Sequence, residues 1–398
     1  MSGVALADER RARAAWSALA EPGDDAAGAL VAALGACDAL DWVREAAGSL
    51  DGAVGRLVGK VTREQAVALV GAHERWARRL EWADAPWEER GARIGARIVV
   101  PGDPEWPESL AALGPAAPFA LWVRGQGDVR ALWDSAIAIV GARASTPYGE
   151  RIAGELSAAV ADGGWTVLSG GAYGIDGVAH RAALEAERPT VAVMAGGVDR
   201  LYPAGNEQLL KAVLEAGCVV AEVPPGFAPH RSRFLQRNRL IATAAATVVV
   251  EAAARSGALS TARQAALLLR PVGAVPGPVT SASSAGCHAI VRDGVATLVT
   301  GAKDVLDLVR PLTEAGPGGE GLGSSEAAGL DFTSPAHRAV FDATSSRPRP
   351  TEDVARRAGL GLGESQGALI ELEALGIVAR ERGGWRKVPA RLSAEKRT

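Results

Sequence analysis

Little in this sequence advertises a bound metal, a redox centre or a covalent framework. Cysteine is scarce: Cys37, Cys218 and Cys287 are the three in 398 residues, far apart and without CxxC spacing. That argues against both a zinc site and a disulfide scaffold, and it fits a reducing, cytoplasmic setting. No uncharged apolar run reaches the roughly 18 residues of a membrane span. Asp8, Glu9, Arg10 and Arg11 precede any apolar run, so the N-terminus does not read as a signal peptide, and no membrane contact is expected. GxxxxGK[ST] is missing and no clean GxGxxG follows the first strong strand, so neither a P-loop nucleotidase nor a nicotinamide site is supported, and no cofactor is expected. A surplus of either charge is lacking too. With a formal net charge of −3, attraction to a polyanion must come from local clustering of cations.

What is present is apolar surface and a clear segmentation. Hydrophobic residues make up 48% of the chain, enough for at least one large core. Residues 1–85 read as helical, over Arg11 to Leu19, Ala26 to Leu34, Asp38 to Ala46 and Thr62 to Leu80, with a Thr62 start signal. Paired short helices suit a SAM-like or helix-hairpin-helix module, and equally a plain packing domain. A stretch with prolines at 101, 104, 107, 115 and 118 reads as irregular. From about 88 to 311, short β-branched runs alternate with helical stretches: Ala136 to Val140, Trp165 to Ser169, Thr190 to Met194, Val219 to Glu222, Thr247 to Glu251, Gly273 to Val275 and Ala296 to Val299. Such alternation predicts an α/β, Rossmann-like, mainly parallel sheet with helices on both faces, binding ligands at the carboxyl ends of its strands.

Residues 312–332 are rich in Gly, Ser and Glu and read as a flexible linker. Within 333–390, Ser334-Pro335 opens one helix, a second runs from Thr351 to a stop at Gly359, and a third from Glu364 to Gly376. Alternation around Gly383-Gly384 completes a winged-helix pattern. Glu364, Glu371 and Glu373 on the third helix oppose phosphate. The basic wing (Arg380, Arg382, Arg386, Lys387) favours it, so both protein docking and backbone contact stay open.

The chemistry concentrates at predicted strand ends. Gly141 and Arg143 follow the first strong strand; Ser169, Gly170, Gly171 and Gly174 follow the next; Gly196 and Gly197 follow the third. Glycine lets phosphate approach the backbone, and free N–H groups at a helix start favour anions, although such turns are often only tight turns. The basic segment is sharper: Arg231, Arg233, Phe234, Arg237, Asn238 and Arg239 fall within nine residues, and no acidic residue lies between Val223 and Val250. Arginines that hold phosphates around a ring that stacks on a base suit single-stranded nucleic acid. Four neutralised phosphates give a salt slope of about −2.8, and about 50-fold weaker binding for fourfold more salt.

At these residues the sequence resembles the DprA/Smf family. The blocks VGARASTPYG, SGGAYGIDGVAHRAAL, GGVDRLYP with Asn206, EVPPG, RFLQRNRLIA, EAAARSGALSTA, AVPG and SSAGCHAIVRDG occur in order over 88–311. The resemblance implies a recombination mediator that binds and protects incoming single-stranded DNA, helps load RecA in natural transformation, works as a homodimer and is not an enzyme. It implies that Arg143 grips phosphate, that Arg231 precedes the FPxRNR motif, and that Phe234 contacts a base. Arg237, Asn238 and Arg239 match the RNR of that motif, and Asp176 closes the SGxAxGID turn as a helix-start cap. His180 reads as packing. The pattern departs at Leu235, where the family has proline, at Thr243-Ala244-Ala245 in place of Gly-Leu-Ser, and at His288 in place of asparagine. An enzymatic alternative is a LOG-type phosphoribohydrolase built around Glu251 and the Ser256 to Thr261 run, although the PGG of that motif is absent.

Overall fold

Alternate residues of the central strands go to opposite faces, and both sets are buried. In the computed structural model, Ala192 and Met194 of one strand join a core on one side of the sheet, while Val191 and Val193 join a core on the other. Two buried faces require helices on both, which is what the continuous apolar runs predicted. The residues described are 3–49, 53, 55–310, 334–345, 348–381 and 384–388. The expected linker 312–332 and the wing residue Arg382 lie outside them.

Among the described residues the large sheet has nine strands: β1 (Ala96–Val99), β2 (Leu121–Arg124), β3 (Ala136–Val140), β4 (Thr166–Ser169), β5 (Thr190–Met194), β6 (Cys218–Ala221), β7 (Ala246–Val249), β8 (Val272–Ala274) and β9 (Thr297–Leu298). Their order is β1-β2-β6-β5-β4-β3-β7-β8-β9. Pairing is parallel from β6 through β9 and antiparallel where β1 and β2 extend the edge. From β3 the chain winds outward through β4, β5 and β6, then returns to add β7 on the other side. The topological switch point therefore lies between β3 and β7, where open α/β sheets form a crevice.

Two features were not expected. The proline-rich stretch is flanked by two short strands, β1 ending just before Pro101 and β2 beginning just after Pro118. Proline stops a strand without forbidding a brief one at a sheet edge. Residues 1–85 also fail to separate as a module. Helices Asp25–Leu34, Ala36–Gly48 and Arg63–Ala77 share a core with Trp122 of β2, with Ala192 and Met194 of β5, and with Val219 of β6. Trp122 Nε1 donates to Ser17 Oγ at 3.2 Å. Residues 1–311 consequently form one compact unit.

The second unit carries the winged-helix pattern. Ser334 Oγ caps helix Pro335–Ala343 by accepting from the His337 amide at 3.2 Å. Helix Thr351–Ala358 ends at Gly359 (φ 69°) and is followed by helix Leu362–Ala374 and the hairpin β10 (Val378–Glu381) with β11 (Gly384–Lys387). Val340, Val354, Leu369, Leu372 and Trp385 form its core. Its acidic and basic groups largely meet each other: Glu371 pairs with His337 at 2.6 Å and Arg386 with Glu381 at 2.6 Å.

Candidate nucleic-acid interface

A cleft of about 520 Å³ opens at the switch point. Its walls are the turn after β3 (Gly141, Arg143), the turn after β7 (Arg255, Ser256) and helix Arg231–Ile241, which contributes Phe234 and Leu235. Three separate stretches of sequence thus converge on one rim.

The arrangement at its mouth is a cation on a ring. The Arg143 guanidinium lies 5.0 Å from the centroid of Phe234. Arg143 itself is exposed and Phe234 half-buried. A guanidinium over an aromatic face is attracted to the ring while its N–H groups stay free for an anion. Arg231 and Arg255 are exposed as well, and neither has an ion pair among the described residues. Sequence reasoning missed Arg255. The signal was there: it follows the strand that flanks β3 across the switch point, just before Ser256 Oγ caps a helix by accepting from the Ala258 amide at 3.3 Å.

The other arginines of the basic segment point inward, against the expectation that they line the path. Arg233 and Arg237 are one helical turn apart on the buried side. Arg233 is held by Glu21 through two 2.9 Å bonds, and its guanidinium lies over Phe227. Arg237 donates to the carbonyls of Gly170, at 2.8 Å, and Val193. Burial pulls its pKa down to about 10, partly opposed by the nearby Asp176 carboxylate. Arg239 forms a bidentate pair with Glu222 at 2.6 and 2.7 Å and also donates to the Ala116 carbonyl. Asn238 Nδ2 donates to the Gly257 carbonyl at 3.3 Å. The RNR motif is a clamp that fastens its helix to the sheet and so positions Phe234. The acid-free window from Val223 to Val250 concealed this, because Glu21 and Glu222 lie outside it.

Most of the glycine turns are filled too. Asp176 is not a helix cap: its carboxylate folds back and accepts from the amides of Gly170 at 3.1 Å and Ala172 at 3.4 Å. It takes the place a phosphate was expected to occupy, and burial raises its pKa against the nearby Arg237. Ser169 is buried and donates to the Ile139 carbonyl at 2.6 Å. Gly196 and Gly197 are covered by the 224–229 loop: a Cβ on Gly196 would lie 2.8 Å from Pro229, and the Gly197 amide donates to the Phe227 carbonyl. Gly171 is buried. Gly174 serves the site indirectly. Its φ of 73° suits glycine, and a Cβ there would come within 2.2 Å of the Ala142 carbonyl, so its turn packs against the one that carries Arg143. Of the strand-end glycines expected to meet phosphate, Gly141 lines the cleft.

His180 packs as expected. It is buried with Nδ1 2.8 Å from Thr190 Oγ1, and burial, aided by the Arg237 charge, pulls its pKa down to about 3. At the three departures, Leu235 is 51% exposed at the cleft, Thr243 Oγ1 accepts from Trp133 Nε1 at 2.9 Å, and His288 Nε2 lies 3.0 Å from the Gly277 carbonyl. Glu251, the proposed catalytic carboxylate of the alternative reading, is buried. It accepts from the Thr146 amide at 2.9 Å and hydroxyl at 2.7 Å, fixing the start of helix Pro147–Asp162. A carboxylate so engaged is a strut for the Arg143 turn. No cluster of potential metal ligands occurs among the described residues, and no single helix there is long and apolar enough to cross a membrane.

The family model described as DNA recombination-mediator protein A matches residues 97–310. The chain belongs to that family. The DprA winged helix domain model matches residues 324–384. A putative DNA processing protein DprA of Mycobacterium tuberculosis is 42% identical over 388 residues, spanning 94% of each chain. Protein Smf of Escherichia coli is 35% identical over 298 residues, or 72% of this chain and 76% of that one. The X-ray structure of DNA processing protein A from Streptococcus pneumoniae is 29% identical and superposes with a TM-score of 0.54, over 64% of this chain and 89% of the other. The matched span contains the whole cleft.

Proposed function

We propose that the cleft between β3 and β7 binds single-stranded DNA and that the protein is a recombination mediator that delivers this DNA to a RecA-type recombinase. The observation that carries the reading is the stacked Arg143–Phe234 pair, with unpaired Arg255 in the cleft wall and unpaired Arg231 about one turn before Phe234 on its helix. A ring that accepts any base, flanked by guanidinium groups for the backbone, recognises a single strand without reading its sequence. Duplex bases are already stacked and paired and cannot use the ring. Glu251, the carboxylate the hydrolytic alternative would use, is tied up by the Thr146 amide and hydroxyl, which supports a binding role over hydrolysis. Release of free base from AMP by the purified protein would favour the LOG-type alternative instead.

The reading extends to partners. Leu267 and Leu269, 77% and 91% exposed, leave an apolar corner of the kind that association covers, and we take the protein to act as a homodimer. In the second unit, Leu362, Ile370 and Leu375 are exposed along one helix and its end while the basic groups of the wing are partly engaged, which supports protein docking over DNA reading.

The deciding experiment is titration of an oligothymidine with wild type, Arg143→Ala and Phe234→Ala, followed by RecA filament assembly on the same oligonucleotide. Loss of affinity in both variants is expected, with preference for single over double strands in the wild type. Unchanged affinity in both would refute the site.

A further inference from the structure

Burying an aromatic ring is among the larger gains available to a folding chain, and this chain takes nearly all of them. Among its described aromatic residues, two are exposed: Tyr173 at 48% and Tyr202 at 47%. Both follow strands on the same carboxyl edge of the sheet, and Tyr202 stands against Phe234. We infer that Tyr173 and Tyr202 are base-stacking platforms that carry single-stranded DNA beyond Phe234; the inference rests on the cleft's being a single-strand site.

Sheet order makes the case. The neighbouring strands β7, β3, β4 and β5 present at their carboxyl ends, in turn, Arg255, Arg143, Tyr173 and Tyr202. Adjacent strands are about 4.8 Å apart, so these groups form a row across the edge, cations first and rings after. Phe234 joins cations to rings, with Arg143 over it and the Tyr202 centroid 5.9 Å away at 54° between planes. Rings so inclined do not stack on each other and keep π surface for bases.

Both tyrosines are held in place rather than loosely displayed. The Tyr173 hydroxyl accepts from the Gly205 amide at 3.1 Å, on the loop that carries Tyr202. Asn206 Nδ2 ties that loop to the Tyr173 turn by donating to the carbonyls of Gly171 at 3.1 Å and Ala172 at 2.9 Å. A ring already ordered loses little freedom when a base lands on it. Tyr202 also borders a hollow of about 480 Å³ whose cations are engaged, Lys211 by Glu207 at 2.8 Å and Arg124 by the Val198 carbonyl at 2.9 Å, so the rings and not further charges would carry the strand here.

The test uses the full chain and oligothymidines long enough to cross the edge. Tyr202→Ala and Tyr173→Ala should each weaken binding about tenfold, or about 1.4 kcal/mol, inside the range for one stacked base. The salt slope should not move, because no charge is removed. Tyr202→Phe should bind like wild type, Tyr173→Phe, which keeps the ring but loses the Gly205 anchor, should bind between wild type and Tyr173→Ala, and abasic positions in the oligonucleotide should weaken wild type more than the double alanine variant. If Tyr173→Ala melts, Tyr202→Ala and the abasic series decide. Folded alanine variants within twofold of wild type, on an oligonucleotide that Phe234→Ala binds poorly, would overturn the inference and leave the cleft standing. Tyr202→Phe as weak as Tyr202→Ala would also overturn it. Silence of Phe234→Ala and Arg143→Ala as well would remove the cleft and the platforms together.

Discussion

If the cleft holds single-stranded DNA as proposed, salt dependence will separate the arginines that face it from those that hold the fold. Sequence alone gave a segment of four arginines, but Arg233, Arg237 and Arg239 are buried on protein partners. The unpaired cations at the rim are Arg143, Arg231 and Arg255. Three phosphate contacts on a single strand give a slope of about −2.1 in log K against log salt. A fourfold rise in salt should then weaken binding about 18-fold, against about 50-fold for four contacts. Arg143→Ala should reduce the slope to about −1.4, or about sevenfold for the same change, besides the lost stacking. Arg143→Lys should keep the wild-type slope while binding more weakly, since an ammonium holds phosphate but lacks the planar fit to Phe234. Fluorescence anisotropy of a labelled oligothymidine between 50 and 200 mM salt, a range over which such slopes are read, resolves these values. A slope unchanged in Arg143→Ala would refute the assignment. So would a slope near −2.8 in the wild type that falls when Arg239 is replaced.

Arg239→Met leaves Glu222 buried without its partner and should cost about 3–5 kcal/mol in urea unfolding, with the salt slope of the folded protein unchanged. Gly174→Ala puts a Cβ 2.2 Å from the Ala142 carbonyl at a φ of 73°. It should lower stability by more than about 1 kcal/mol and weaken oligothymidine binding by displacing the Arg143 turn, both readable in one preparation. His180 should make the protein acid-labile. Its folded pKa of about 3 lies below the ordinary 6.5, so the stability it contributes is complete above about pH 6.5 and is lost as pH falls toward 3. The slope there should approach about 1.4 kcal/mol per pH unit, and His180→Gln should flatten it in chemical melts across that range.

Much of the fold was legible because its cause is local. Strands β3 to β8 are short apolar β-branched runs between helices, and their burial on both faces follows from that pattern. The winged-helix elements were announced by Ser334, Gly359 and Gly376, each acting within one turn. β1 and β2 were hidden, because a four-residue strand beside a proline-rich stretch has too little pattern to register and is fixed by its partners. The N-terminal helices were visible, but not the sheet face they would cover.

Sequence by itself pointed to the strand ends and named Arg143 and Phe234, which the fold brings together at one cleft. What it could not determine was which charges would be left over. An arginine near others reads as a basic patch until the fold brings Glu21 and Glu222 to it, and a glycine turn reads as a phosphate nest until Asp176 fills it. Those partners are distant along the chain or reach the turn only by folding back. The cost of burying an unpaired charge forces the pairing once the core closes, and only tertiary structure shows that Arg143, Arg231 and Arg255 stay exposed and without an ion pair among the described residues.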